Sequence, residues 1–528
     1  MTQQCDRREF LNVSLLGAAG ILAGAASQPA RTEETTSSTD AQETPLAGNL
    51  LVGAAAVSIT PDKAAPLCGQ MYLRLSTKVE SPITAQAVAL ETRRNNKSVD
   101  QAVFVSCDLV GLGEGVLEDI RKNLKERLRD FDVSKLVLSV VHTHSAPHMD
   151  EAGYEIPKDV EQPKEYRYFF VDRVADVVVR AWESRKPGFV GWGLGHAVVA
   201  QNRRAVYADG HAQMYGETNR TDFRGFEGFE DHGVEVLCFW DSQEKLIATT
   251  VNVPCPGQEV EDNYAISADY WHEVRQLLKA KHGDQLVVVG WVAAAGDQSP
   301  HLMFRKKAED RMRKLRGLNR LQELARRIDA GWEEAYAGAC KDKRADVTLI
   351  HKSKVLELPS RRIAEKEYAE AKKKLAMLTQ DPDSAAAIEL ERAGTRARLE
   401  NKTESTKQLM SWYRSSIERY ERQKAGHIDS YPTEIHVVRL GDVAVATNPF
   451  ELFTAFGIQM QARSPAIQTI VVQLAGVGTY LPTELAVRDG GYGATPESNR
   501  VGPEGGQMLV DESLALIDAM WATNQPRL

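Results

Sequence analysis

Three histidines, His142, His144 and His148, fall together in the segment HTHSAPH, although the whole chain holds only twelve. On an extended segment alternate residues point to one side, so His142 and His144 can face one pocket. Imidazole is the usual ligand of zinc, and a pair placed this way is a candidate metal grip; the competing reading is a structural or surface cluster. Further polar groups gather in Gly296-Asp297-Gln298-Ser299-Pro300, Asn448-Pro449-Phe450-Glu451 and Gly478-Thr479-Tyr480-Leu481-Pro482-Thr483. Asn202-Arg203-Arg204 and Asp231-His232-Gly233 add two more candidates. Each has a plainer reading as well: Asp297 and Ser299 can close a turn, and Glu451 can open a helix.

What unites these segments is the kind of element that precedes them. Short β-branched runs at 102–106, 136–141, 286–292, 435–440, 443–447 and 469–474 read as strands, and three of the polar clusters follow such runs directly. Binding groups concentrate on loops held by a rigid scaffold, so these strand ends are expected to share one site. Gly441-Asp442 is a two-residue hairpin signal, and helical periodicity covers 114–128 and 270–281. The expected class is mixed α/β, with no internal repeat. Residues 362–426 differ, being dense in Lys, Arg, Glu and Ala and broken at Gln380-Asp381-Pro382-Asp383. They read as an inserted helical hairpin that packs on itself and on the flank of the domain rather than as an arm for a partner.

Composition limits the functions open to such a fold. With 528 residues, 43% hydrophobic and 26% charged, the chain is globular, and an excess of 73 acidic over 65 basic residues argues against broad affinity for nucleic acid. No apolar stretch in the body suits a polytopic membrane protein. The start is different: DRREFLN, with paired Arg7 and Arg8, precedes a Gly/Ala-rich apolar run that contains Ala23-Gly24-Ala25. Residues 1–26 read as a twin-arginine export signal and 27–48, rich in Thr, Ser and Glu, as a disordered tether. A single domain over 49–528 is expected to be exported already folded, periplasmic or extracellular, with no transmembrane anchor once the signal is removed. Cys5 leaves with that signal, and Cys68, Cys107, Cys238, Cys255 and Cys340 remain, odd in number and without a disulfide or zinc-knuckle spacing.

In chain order, Ile59-Thr60-Pro61, the HTHS at His142, Asn202-Arg203, Ile266-Ser267-Ala268-Asp269, the GDxSP at Gly296, the PxE at Pro449 and the segment from Tyr480 to Tyr492 together resemble the N-terminal catalytic domain of the neutral/alkaline, non-lysosomal ceramidases. The resemblance implies two packed mixed or antiparallel β-sheets flanked by helices. It also implies a catalytic Zn2+ held by His142, Glu451 and Tyr480, with a fourth ligand at a position where this chain has Cys255; the competing reading is that Cys255 is an inert buried thiol and that His232, Gln258 or no residue completes the shell. Carried over in the same way, His144 would shuttle a proton, Arg203 and Tyr492 would stabilise an oxyanion, and Asp297 and Ser299 would orient the substrate or brace the ligands. The implied activity is hydrolysis of an N-acyl amide, small or lipid. Two other classes stay open: a serine hydrolase using Ser299 with His144 and Asp297, and a non-catalytic exported binding protein on the same fold. The sequence carries no signal for oligomeric state.

Overall fold

The computed structural model describes residues 47–150, 155–381, 402–427 and 429–522. The expected signal and nearly all of the tether lie outside these residues. Twelve principal strands form two sheets. The larger is built from β1 (Gly48–Ser58), β2 (Thr84–Arg94), β3 (Lys97–Cys107), β4 (Leu136–Val140), β5 (Lys186–His196), β6 (Gly233–Asp241), β7 (Leu246–Val253) and β8 (Val287–Val292). Its spatial order is β8-β7-β6-β5-β1-β2-β3-β4, with the short strand Asp346–Val347 paired beside β1. The smaller sheet runs in order through β9 (Leu349–Pro359), β10 (Ser430–Leu440), β11 (Val443–Thr447) and β12 (Gln468–Val472).

The two sheets bury a shared apolar layer in which Leu50, Val52, Phe104, Phe239 and Trp291 meet Leu349, Val438, Val445 and Ile470. Strands buried on both faces read as continuous Val/Ile/Leu runs, which is why the central ones were visible in the sequence. Helices cover the outer faces. α1 (Val116–Arg127) and α2 (Pro163–Glu183) pack on β1–β4, while α3 (Tyr270–His282) and α4 (Arg320–Ala339) pack on the other half of the large sheet. α7 (Thr454–Arg463) and α8 (Pro503–Ala522) pack on the small sheet. The molecule is thus an α/β/β/α sandwich of mixed sheets. Between these, α5 (Glu365–Gln380) and α6 (Lys402–Lys424) pack together through Ala371, Leu378, Leu409 and Tyr413.

Most neighbouring strands are antiparallel, and Leu440 pairs with Val443 across the Gly441-Asp442 turn. Three pairs are parallel: β3 with β4, β7 with β8, and β11 with β12. A parallel pair needs a crossover, here α1, α3 and α7 respectively, and loops that carry ligand-binding groups leave from the carboxyl ends of such strands. His142 follows β4, Asp297 follows β8 and Glu451 follows β11, so topology alone sends all three toward one end of the sandwich. Among the described residues no helix is long and apolar enough to cross a membrane.

Candidate active site

Two short ladders set the positions of the candidate residues. Glu451-Leu452 and Tyr480-Leu481 form a parallel pair in which Glu451 sits directly opposite Tyr480. Gln298-Ser299 pairs antiparallel with Gln201-Asn202, which places Arg203 beside the loop of Asp297. Arg203 N–H donates to the Asp297 carbonyl at 2.9 Å. The Asp297 carboxylate is fully engaged in holding this corner: it accepts from the Thr454 backbone N–H at 2.8 Å, the Thr454 hydroxyl at 2.7 Å and Asn202 Nδ2 at 3.2 Å.

His142 is held in a left-handed backbone conformation, φ 66°, which a side chain adopts only under constraint. Its Nδ1 lies 2.6 Å from the Val110 carbonyl, so Nδ1 carries a proton and donates. That Nε2 faces Glu451 Oε2 at 3.4 Å. Arg203 Nη2 lies 3.7 Å from the same carboxylate oxygen and donates to the Tyr480 hydroxyl at 3.2 Å and the Gly296 carbonyl at 2.9 Å. Burial works to raise the Glu451 carboxyl, but His142 and Arg203 outweigh it and hold it below the usual range. Burial pushes the Tyr480 and Tyr492 phenols up. The two tyrosine rings meet edge to face, with centroids 5.3 Å apart.

His144 lies next to His142, with ring centroids 4.8 Å apart, and neither of its ring nitrogens makes a hydrogen bond. Its Nδ1 stands 3.4 Å from Glu261 Oε2. Burial and the neighbouring His142 press the His144 pKa down to about 3, so the free imidazole is neutral. The other Glu261 oxygen meets His301 Nε2 at 2.9 Å. Tyr215 links the two halves of the cluster: its hydroxyl accepts from Arg203 Nη1 at 2.9 Å and Gln258 Nε2 at 2.6 Å and donates to Ser299 Oγ at 3.0 Å. Behind His144, the buried Arg74 donates to the carbonyls of Cys68, His144, Glu261 and Asn263 at 2.6–2.8 Å, joining three loops.

His142, His144, Arg203, Ser299, Glu451, Tyr480 and Tyr492 therefore converge, while Asp297 braces them from behind. Cys255 is not brought to this group. Its thiol lies in the apolar core with Val253, Tyr270 and Trp271, near the carbonyls of Val199 and Pro256, and burial pushes its pKa up. Two residues past the end of β7, the side chain turns toward α3 rather than toward His142. His232 pairs with Glu230. Gln258 does reach the site, but through Tyr215. The serine relay has no geometry to support it, because the Asp297 carboxylate is spent on Thr454 and Asn202 and Ser299 Oγ accepts from Tyr215 and from the His301 N–H.

Tyr215, Glu261, His301 and Arg74 escaped sequence reasoning. His301 alone had a cue, standing two residues beyond Ser299. Trp412 of α6 was also missed as a site neighbour; its ring stacks on Tyr492 at 6.0 Å, and Met71 packs against the same hairpin.

Among the described residues no three His, Cys, Asp or Glu side chains converge closely enough to hold a metal ion. The donors that do converge are two of these types and a phenol: His142 Nε2, Glu451 and Tyr480. Two ligands on a tetrahedral ion with bonds near 2.05 Å stand about 3.3 Å apart. The 3.4 Å between His142 Nε2 and Glu451 Oε2 matches that spacing, and the Val110 carbonyl orients the ring as it would for a ligand. These three residues fit part of a divalent-ion shell, with the fourth protein position unfilled by Cys255.

No family model matches the sequence, and the search of curated proteins finds no match. Solved structures do match. A neutral ceramidase from Pseudomonas aeruginosa aligns with a TM-score of 0.60 and 16% identity over 89% of this chain and 75% of that one. A ceramidase complexed with C2 aligns with a TM-score of 0.61 and 17% identity over 89% and 76%. At such identity the likeness concerns architecture, and the chain has a ceramidase-like fold.

Proposed function

We propose that the chain is a hydrolase of N-acyl amides, with zinc as its metal and a lipid amide as its substrate class. The reading rests on one observation: His142, Glu451 and Tyr480, from the ends of two different sheets, meet beside the buried cation Arg203. The ceramidase-like fold supports it. His142, Glu451 and Tyr480 would hold the ion, which when bound supplies an activated water and polarises the amide carbonyl.

The remaining chemistry belongs to the chain. Arg203, fixed by Tyr215 and the Gly296 carbonyl, presents a permanent charge where the amide oxygen becomes negative, and Tyr492 adds a hydroxyl donor. His144, with both ring nitrogens free of hydrogen bonds, is placed to pass a proton to the departing amine, and Glu261 fixes the face its ring presents. Ser299 anchors Tyr215, and Trp412 stacks on Tyr492. Export through the twin-arginine route belongs to the same reading, since that route carries proteins already folded around their metal.

Metal analysis of the folded, purified protein, paired with turnover of short-chain and long-chain N-acyl amines, tests this. Close to one zinc per chain is expected, with His142→Ala losing metal and turnover together. Turnover that survives thorough chelation overturns the assignment, and a metal-free protein without turnover leaves a binding role on the same fold.

A further inference from the structure

Away from these residues, a cavity of about 340 Å³ lies between the base of the helical hairpin and the segment that follows Tyr492. Four arginines line it, Arg361, Arg362, Arg419 and Arg500, against a single carboxylate, Asp429. That carboxylate is already engaged by Arg422 at 2.8 Å. Such a concentration of positive charge is unexpected in a chain of net charge −8.

The arginines divide into one that is spent and three that are not. Arg361 is buried and gives its donors to Glu367 and Asn499 at 2.5 Å each. Arg419 donates Nη1 to the Pro496 carbonyl at 2.8 Å, but its Nη2 is buried without a hydrogen-bond partner. An unpaired buried donor on a charged group is costly, and it marks a place where an acceptor belongs. Arg362 and Arg500 are exposed, and among the described residues no carboxylate pairs with either. Burial, together with the nearby Arg500 and Arg361, depresses the Arg419 guanidinium to about 10, and Glu497 and Glu367 offset this only in part.

We propose that this cavity binds a tetrahedral oxyanion of the phosphate or sulfate class, held by Arg419 Nη2 with Arg362 and Arg500. Guanidinium groups suit such oxygens because their planar donors engage two at once. The anion is either free or the monoester group of a larger molecule. Its place in the fold gives it a structural consequence. Arg419 follows Trp412 by seven residues on α6, about 10 Å along the helix. The Arg500 N–H donates to Thr479 Oγ1 at 3.1 Å. An occupant therefore ties the hairpin to the segment that carries Tyr480.

Calorimetric titration of the full protein with inorganic phosphate, inorganic sulfate and glycerol 3-phosphate tests the proposal. Saturable binding of at least one probe is expected, weakened about tenfold or more by Arg419→Gln and by the double change Arg362→Ala with Arg500→Ala. The double change touches only exposed side chains, so it keeps the test valid if Arg419→Gln fails to fold. Tighter binding of the inorganic ions identifies a free anion as the occupant, and tighter binding of glycerol 3-phosphate identifies a monoester. Zinc content is unchanged in these variants, which separates this result from the fate of the hydrolase reading. Absence of saturable binding by all three probes, or binding untouched by the double change, overturns the proposal.

Discussion

Replacing Arg74 by Met removes a side chain that joins the loops of Cys68, His144 and Glu261–Asn263. The guanidinium makes four hydrogen bonds to main-chain carbonyls at 2.6–2.8 Å, and the residue has no exposed surface. A buried carbonyl left without its donor costs about 1 kcal/mol at the low end of the measured range, so the four together cost about 4 kcal/mol. Apolar packing of the Met side chain offsets about 1 kcal/mol of this, leaving about 3 kcal/mol. The functional loss is the larger signal. His144 and Glu261 lose the clamp on their own carbonyls, and a displacement of about 1 Å at a reacting group lowers turnover by about a hundredfold. Urea unfolding and turnover of an N-acyl amine are the assays, with Arg74→Lys as an intermediate case because a point ammonium reaches fewer of the four acceptors. Zinc content stays at the wild-type level, since His142, Glu451 and Tyr480 are not touched by Arg74. A variant with the wild-type urea midpoint and unchanged turnover refutes the reasoning.

Three further outcomes can be measured. Cys255→Ser leaves zinc content unchanged and lowers stability by about 1–2 kcal/mol, because a hydroxyl enters an apolar core; loss of zinc would restore Cys255 to the ligand shell. Gly478→Ala places a Cβ 2.2 Å from the Pro449 carbonyl oxygen, wedging open the ladder that sets Glu451 against Tyr480. It is expected to cost about 2–3 kcal/mol in chemical unfolding and to weaken zinc affinity in a chelator competition. The Glu323 carboxyl, hydrogen-bonded by Arg326 and Arg327 on the same helix, is held down at about 2 in the folded chain, below the value near 4.3 it takes when unfolded. Its contribution is therefore complete above about pH 4.3 and fades as pH falls through 2. Unfolding free energies of Glu323→Gln should lie about 3 kcal/mol below wild type at pH 7 and converge on it toward pH 2, and a gap that does not narrow contradicts the assignment.

The architecture was legible where burial on both faces forces continuous β-branched runs, as at β4, β8, β10 and β11, and where a turn dipeptide such as Gly441-Asp442 fixes a hairpin. The convergence of His142, Glu451 and Tyr480 could be anticipated because each stands just past a short strand or within an ordered polar motif. What stayed hidden has a common physical character. Arg74 acts through main-chain carbonyls, whose partners leave no trace in side-chain patterning. Tyr215, Glu261 and His301 matter only through contacts between segments far apart in the chain. Cys255 shows a further limit, since motif alignment fixes its position along the chain but not the direction of its thiol two residues beyond a strand. Nothing in the charge pattern of 362–426 distinguished Trp412, which reaches Tyr492, from its solvated neighbours.

His142 and Arg203 come from loops of the large sheet, whereas Glu451 and Tyr480 come from the small one, so any molecule gripped by all four bridges both leaves of the sandwich. Such an occupant recognises the docked state alone and has no equivalent target in a chain whose leaves have separated. By mass action it then acts as a clasp: melting temperature should climb with its free concentration, and resistance to proteolysis should report on occupancy even where no turnover is followed.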